Sequence, residues 1–253
     1  KLKVMAKQSS IIKIEGTIDD LTFYKSKNGY RVRKKTGVNA ERIQSDPAFE
    51  RTRENQKEFG IVARTGKILR RSMIDLLAEV SDDTLVPRMI RRLSKIRNLD
   101  TNSPRGERTV TQGLLSEEGK TLLRGFDFNQ EAPLQQVLKK EIELDTATGE
   151  MVLTDFNPRK HLSRPEGATH VAFRAGFLNV DFDTESADLQ VSPQQEVPLQ
   201  QSVSTITLTP PAAPEGTGTQ VHVLLVEYYQ ELNGAMYPLN SGAFNALSIV
   251  EVA

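Results

Sequence analysis

Two groups of cations are the residues best placed to do chemistry. Arg31, Arg33, Lys34 and Lys35 crowd one short segment, and Arg88, Arg91, Arg92, Lys95 and Arg97 crowd another. Clustered cations with aromatic neighbours, here Tyr24 and Tyr30, bind phosphate backbones in a salt-sensitive and largely sequence-blind way. The competing reading is a pair of solvated faces, the usual fate of surface charge.

Other reactive types are thinly spread. His161, His170 and His222 have no short ligand spacing, so isolated imidazoles are expected rather than a zinc site. The stretch DFDTE places Asp181, Asp183 and Glu185 at alternate positions, a calcium-loop-like arrangement. The Gly and the further ligands of an EF-hand do not follow, so an acidic turn is expected. Ser10 and Lys13 match Ser-x-x-Lys, but the partner motifs of that acyl-transfer signature are absent. There is no cysteine, no glycine-rich phosphate loop and no Gly-x-Ser-x-Gly elbow. No catalytic residue, metal ligand or cofactor is assigned, and the expectation is a protein that is not an enzyme.

Charge is distributed unevenly. The 253 residues carry 33 basic and 33 acidic side chains. Residues 1–112 hold 25 basic and 14 acidic ones, a net of +11, and the remainder holds 8 and 19, a net of −11. Such asymmetry fits a nucleic-acid partner, or two surfaces that complement each other on neighbouring molecules. No apolar run is long enough for a membrane span, and the start has no signal-peptide pattern, so a cytoplasmic location is the default expectation. Met5 is a candidate start, preceded by Lys1–Val4.

The elements that must position these residues read as α+β. Residues 10–16 suggest a strand. LTFYK, Asn28-Gly29 and YRVRK suggest a hairpin on a type I′ turn, with Lys27 opposite Tyr30 and Lys25 opposite Val32. Leu21, Phe23, Tyr30 and Val32 then share an apolar face, and Tyr24, Arg31, Arg33 and Lys35 a basic one. Ser45 or Asp46 caps a helix with Pro47 at its first position, running to about Glu79. Its apolar stripe is anchored by Phe49 and Phe59. Gly60, Ala63 and Gly66 thin it where another element approaches, or else a glycine breaks it. A basic helix follows over 84–98, and residues 101–113 read as a loop or linker.

From about Leu114 the apolar period changes to two. Strands are expected at 122–128, 137–144, 150–154, 169–182, 203–209, 220–232 and 246–252, with turn-forming residues between them. That pattern predicts an all-β, immunoglobulin-like sandwich, with domains at 1–112 and 113–253.

GTIDDLTFYKSKNGYRVRKK, SDPAFERTRENQKEFG, the Gly66–Arg70 segment and VEYYQELNGAMYPL resemble a group of proteins of unassigned activity from Bacteroidota. The resemblance implies an N-terminal strand pair, helices and then a β-sandwich, and it implies no active-site residues. The leading expectation is a structural protein that assembles with copies of itself head to tail, as part of a filament, tube or phage-like particle. The alternative is nucleic-acid binding through the basic half. A third reading is a sandwich that binds a ligand or protein through its loops.

Overall fold

A computed structural model describes residues 6–7, 12–34 and 37–253. The chain divides into two compact units, 1–53 and 54–253.

The first unit is a small sheet and one short helix. β1 (Ala6–Lys7), β2 (Gly16–Ile18), β3 (Leu21–Ser26) and β4 (Gly29–Lys34) form an antiparallel sheet in the order β1-β4-β3-β2. The strand expected at 10–16 is displaced: residues 12–15 are not in a strand, and Ser10 and Ile11 lie outside the described residues. The β3–β4 hairpin is also corrected by two positions. Lys25 pairs with Tyr30, Phe23 with Val32 and Ser26 with Gly29. Gly29 has φ 97° while Lys27 and Asn28 have no positive φ, so glycine serves as a left-handed residue after the turn rather than as half of a type I′ turn. An even shift leaves the two faces unchanged. α1 (Ala40–Ser45) follows, with Asn39 as its N-cap.

Asp46 caps the next stretch through Ala48 N at 2.9 Å, with Pro47 at its first position. A short 3-10 turn over Pro47–Phe49 leads into α2 (Glu50–Ser72), which neither Gly60 nor Gly66 breaks. Its buried stripe is Glu58, Val62, Thr65, Gly66, Ile68 and Leu69. Phe59 lies one residue round from Glu58 and is 55% exposed, and Phe49 sits half-buried in the 3-10 turn, so neither anchors the stripe. A Cβ on Gly66 would touch Leu93 Cδ1 at 3.3 Å and Met89 Sδ at 3.4 Å, which identifies the closely approaching element as the basic helix.

The rest of the second unit follows in chain order. α3 (Ile74–Leu77), α4 (Leu85–Arg97), α5 (Val110–Leu114), α6 (Glu117–Leu123) and α7 (Leu134–Val137) precede β5 (Glu143–Leu144) and β6 (Met151–Phe156). α8 (Pro158–His161) leads to β7 (His170–Asp181), β8 (Ser186–Val191), β9 (Gln195–Pro198), β10 (Ser204–Leu208), β11 (Thr219–Leu232), β12 (Ala235–Pro238) and β13 (Ala246–Val252).

These elements stack in three layers. β7 and β11 pair along the centre of a large antiparallel sheet; β8 and β9 flank β7, and β12 and β13 flank β11. One face, with Leu178, Val180, Val221, Val223 and Leu225, packs on the helices through Val62, Leu69, Met89 and Leu93. The other, with Phe173, Ala175, Leu224, Val226 and Tyr228, packs on the small sheet β10-β6-β5 through Met151, Leu153, Phe156 and Ile206. A fully buried Leu or Phe contributes about 1.5–3 kcal/mol, so both interfaces are major sources of stability. The chain is thus α+β, with an N-terminal sheet, helices and a C-terminal antiparallel sheet, and this layering does not confirm an immunoglobulin-like sandwich. β7 and β11 are buried on both faces, which is why they read as nearly continuous apolar runs.

Packing is close across the expected boundary at 112/113. A Cβ on Gly113 would collide with the carbonyl oxygen of Ile96, so α5 and α4 touch backbone to backbone across that point. Residues 122–128 and 137–144 are mostly helix and irregular chain rather than strands. The segment at 125–128 instead bonds along β13, through Phe128 N to Leu247 O at 2.8 Å and Ile249 N to Phe126 O at 3.1 Å. β8, β9 and β12 are additional strands. β12 follows a two-residue turn in which Asn233 and Gly234 both take positive φ, the type I′ geometry that Asn28-Gly29 does not adopt.

Candidate interaction surface

The two cation clusters fall in different units. In the first unit, register puts Thr22, Tyr24, Arg31 and Arg33 on one face of the sheet and Leu21, Phe23, Lys25, Tyr30, Val32 and Lys34 on the other. The Arg33 guanidinium lies 5.5 Å from the centre of the Tyr24 ring, a cation–π contact. Lys34 pairs with Asp20 at 3.8 Å, and Lys35 lies outside the described residues. The opposite face carries Lys25 over the Tyr30 ring at 5.9 Å, with Leu21 44% exposed and Ile18 53% exposed. No described residue before Glu58 is buried.

The second cluster is largely spent inside the fold. Arg88 pairs with the Asp82 carboxylate, which is nearly closed off from solvent, and donates to Asp127 O at 3.0 Å. Arg92 donates to Leu122 O at 2.6 Å. Arg97 reaches Glu58 Oε2 at 3.1 Å. These contacts follow from helical spacing, which turns Arg88, Arg92 and Arg97 toward α6 and α2 and leaves Arg91 and Lys95 exposed. A five-cation phosphate surface on this helix is thus reduced to two outward cations.

The loop expected as a linker is pinned by carboxylates that reading the sequence missed. Glu58 is fully buried and accepts Arg108 Nε at 2.7 Å, Arg108 Nη2 at 2.8 Å and Gly106 N at 2.8 Å. The Arg108 hydrogen bond, the Gly106 amide and the nearby guanidinium charges outweigh burial and hold its carboxyl down at about 2. Asp100 accepts Asn102 N, Ser103 N and Thr109 N at 2.9–3.0 Å. Burial pushes Asp82 upward, but the Thr84 hydroxyl and amide, Arg88 and the Gln130 amide win and bring it to about 2. A helical Glu facing an Arg some fifty residues away leaves no local sequence pattern.

The histidines and the acidic turn serve separate local roles. His161 Nδ1 accepts Asn157 N at 3.0 Å. His170 contacts Thr169 Oγ1 at 3.0 Å and lies 3.8 Å from Glu231. His222 is fully buried, stacked on Phe177 at 4.3 Å, with no partner on either ring nitrogen among the described residues, and burial pushes its pKa down. Asp181 accepts the amides of Asp183 and Thr184, while Glu185 pairs with Arg64. Those carboxylates therefore do not converge on a point. Among the described residues no group of three or more His, Asp or Glu side chains is arranged to hold a metal ion. A buried polar group, Arg174 with Glu227 at 3.0 Å and Tyr229 Oη donating to Glu227 at 3.0 Å, lies on the helix-side face of the large sheet. It is internally satisfied, and burial raises the Glu227 pKa.

No helix among the described residues is long and apolar enough to cross a membrane. Compared with protein families, curated proteins and solved structures, the chain matches none.

Proposed function

We propose that the chain is a non-enzymatic structural protein that associates with copies of itself head to tail, its basic first unit seated on the acidic body of a neighbour. The observation that carries this reading is a four-stranded sheet with an apolar face and, among the described residues, no buried side chain. A sheet this small needs packing to be stable. Residues 1–53 hold 13 basic and 6 acidic side chains, a net of +7, and residues 54–253 hold 20 and 27, a net of −7. Opposite charge on two different surfaces favours a heterologous contact, which extends into a filament or tube when it does not close into a ring. The test is Leu21→Glu with Phe23→Glu in the full chain, at positions that are not buried. The pair should lower the apparent mass in solution while circular dichroism stays unchanged; an unchanged mass counts against this docking face.

A second reading keeps nucleic acid as the partner, because Arg31, Arg33 and Tyr24 share one face of the same sheet. Binding of a single-stranded oligonucleotide that falls steeply with salt and is lost in Arg31→Glu with Arg33→Glu would favour it.

A further inference from the structure

Helix α2 and the edge strand β8 enclose a groove of about 770 Å³. Its helical wall carries Arg64, Lys67 and Arg71, exposed and spaced to form one stripe. Arg64 is held by Glu185. Lys67 and Arg71 have no ion-pair or hydrogen-bond partner among the described residues. The other wall is lined by Ala187 of β8, a strand whose only strand neighbour among the described residues is β7. Among the described residues, no backbone hydrogen bond joins Ser186–Val191 to any segment other than β7. Unpaired edge groups beside two free cations fit an extended acidic strand: the edge supplies a main-chain ladder and the cations supply charge selection.

The same unit carries such a strand. β5 is the open end of the small sheet and, among the described residues, pairs only with β6. Glu143 in the strand and Glu141 just before it, both exposed, bracket Ile142. In extended chain, side chains two apart share a face and stand about 6.6 Å apart. Lys67 and Arg71, four apart on a helix, are about 6 Å apart along its axis. Asp145 is committed to its own turn through Ala147 N at 2.9 Å, Glu143 accepts Thr154 Oγ1 at 2.8 Å on one oxygen, and Glu141 has no partner among the described residues.

We propose that the β5 edge of one copy adds to the β8 edge of the next, with Glu141 and Glu143 meeting Lys67 and Arg71. The contact is heterologous, so each copy offers one donor edge and one acceptor groove, and the arrangement can repeat. It rests on the reading that copies associate, and adds a contact between bodies to the docking of the first unit. A nucleic acid could use the cations but not the main-chain edge, which is why a strand is the favoured occupant.

The chain has no cysteine, so single cysteines report the contact cleanly. Full-length Lys67→Cys and Glu143→Cys are mixed and treated with a short bismaleimide. The mixed cross-link should exceed either self-cross-link at least tenfold. Separately, Lys67→Glu with Arg71→Glu, and Glu141→Lys with Glu143→Lys, should each weaken association at least tenfold, and mixing the two double variants should restore it. If the parent chain associates but no mixed cross-link forms, this contact is wrong while self-association stands. If the parent chain never associates, both fall. If Lys67→Glu with Arg71→Glu loses binding of a labelled oligonucleotide or of polyglutamate while association is unchanged, the groove holds a free polyanion and the proposal is overturned.

Discussion

Glu58 and Arg108 meet in a two-pronged ion pair, 2.7 and 2.8 Å, on a carboxylate with no exposure to solvent. Arg97 closes the third side at 3.1 Å. The pair ties α2 to the loop before α5 and makes that loop part of the body rather than a hinge.

Glu58→Gln should destabilise the protein by about 3–5 kcal/mol, because two guanidinium groups lose their carboxylate in a dry site. Urea unfolding measures it; a loss under about 1 kcal/mol would mean the arginines find water instead. The folded-state pKa lies below the unfolded one, so the stabilisation is present above about pH 4.5 and is lost as pH falls toward 2. The acid limb of the stability profile should flatten in the variant.

His222 titrates in the other direction. Its folded pKa is pushed down by burial, and Asp145 and Glu251 only partly oppose the shift. The unfolded chain therefore takes up a proton that the folded one resists, and stability falls as pH drops below about 6.5. His222→Leu removes two unpartnered ring nitrogens and should stabilise by about 1 kcal/mol while erasing that slope. A steeper slope in the variant would show that the imidazole is partnered in solution.

The basic helix divides into two classes. Arg88, Arg92 and Arg97 each replaced by Ala should cost about 1–3 kcal/mol, since Arg88 and Arg92 leave a half-buried carbonyl without its donor and Arg97 takes one of two guanidinium charges from the buried Glu58 carboxylate. Arg91→Ala and Lys95→Ala should stay within about 0.5 kcal/mol. Equal costs across all five in thermal melts would contradict the inward and outward assignment.

Two glycines should answer oppositely. Gly113→Ala forces a methyl into the Ile96 carbonyl and should cost about 1–3 kcal/mol. Gly60→Ala meets nothing within 4 Å on an exposed helix face and should stabilise by about 0.5–1 kcal/mol. Melting temperatures that move the same way would sink the packing argument at one of the two sites.

Much of the architecture could be read from local pattern. The cap at Asp46, the long strands β7, β11 and β13, and the two-faced hairpin all follow from spacing and turn chemistry. The failures share a physical cause, which is partner choice at a distance. Periodicity shows that 169–182 and 220–232 are apolar, but not that helices cover one face and a second sheet the other. Asn-Gly predicts a tight turn at 28–29 and at 233–234, but the flanking pairing decides which turn type forms. The cations at 88–97 read as a surface because their acceptors at 58, 82, 122 and 127 are invisible to a local window. The uncovered first-unit sheet was legible as a hairpin with an apolar face; the α2–β8 groove was not, since β8 is polar at alternate positions and follows an acidic turn.

Self-association is the central claim, and light scattering after size exclusion, across protein concentration and salt, tests it most directly. The account predicts a mass that rises above the monomer with concentration and falls back as salt screens the +7 and −7 units. A monomer mass at every concentration and at low salt would contradict it.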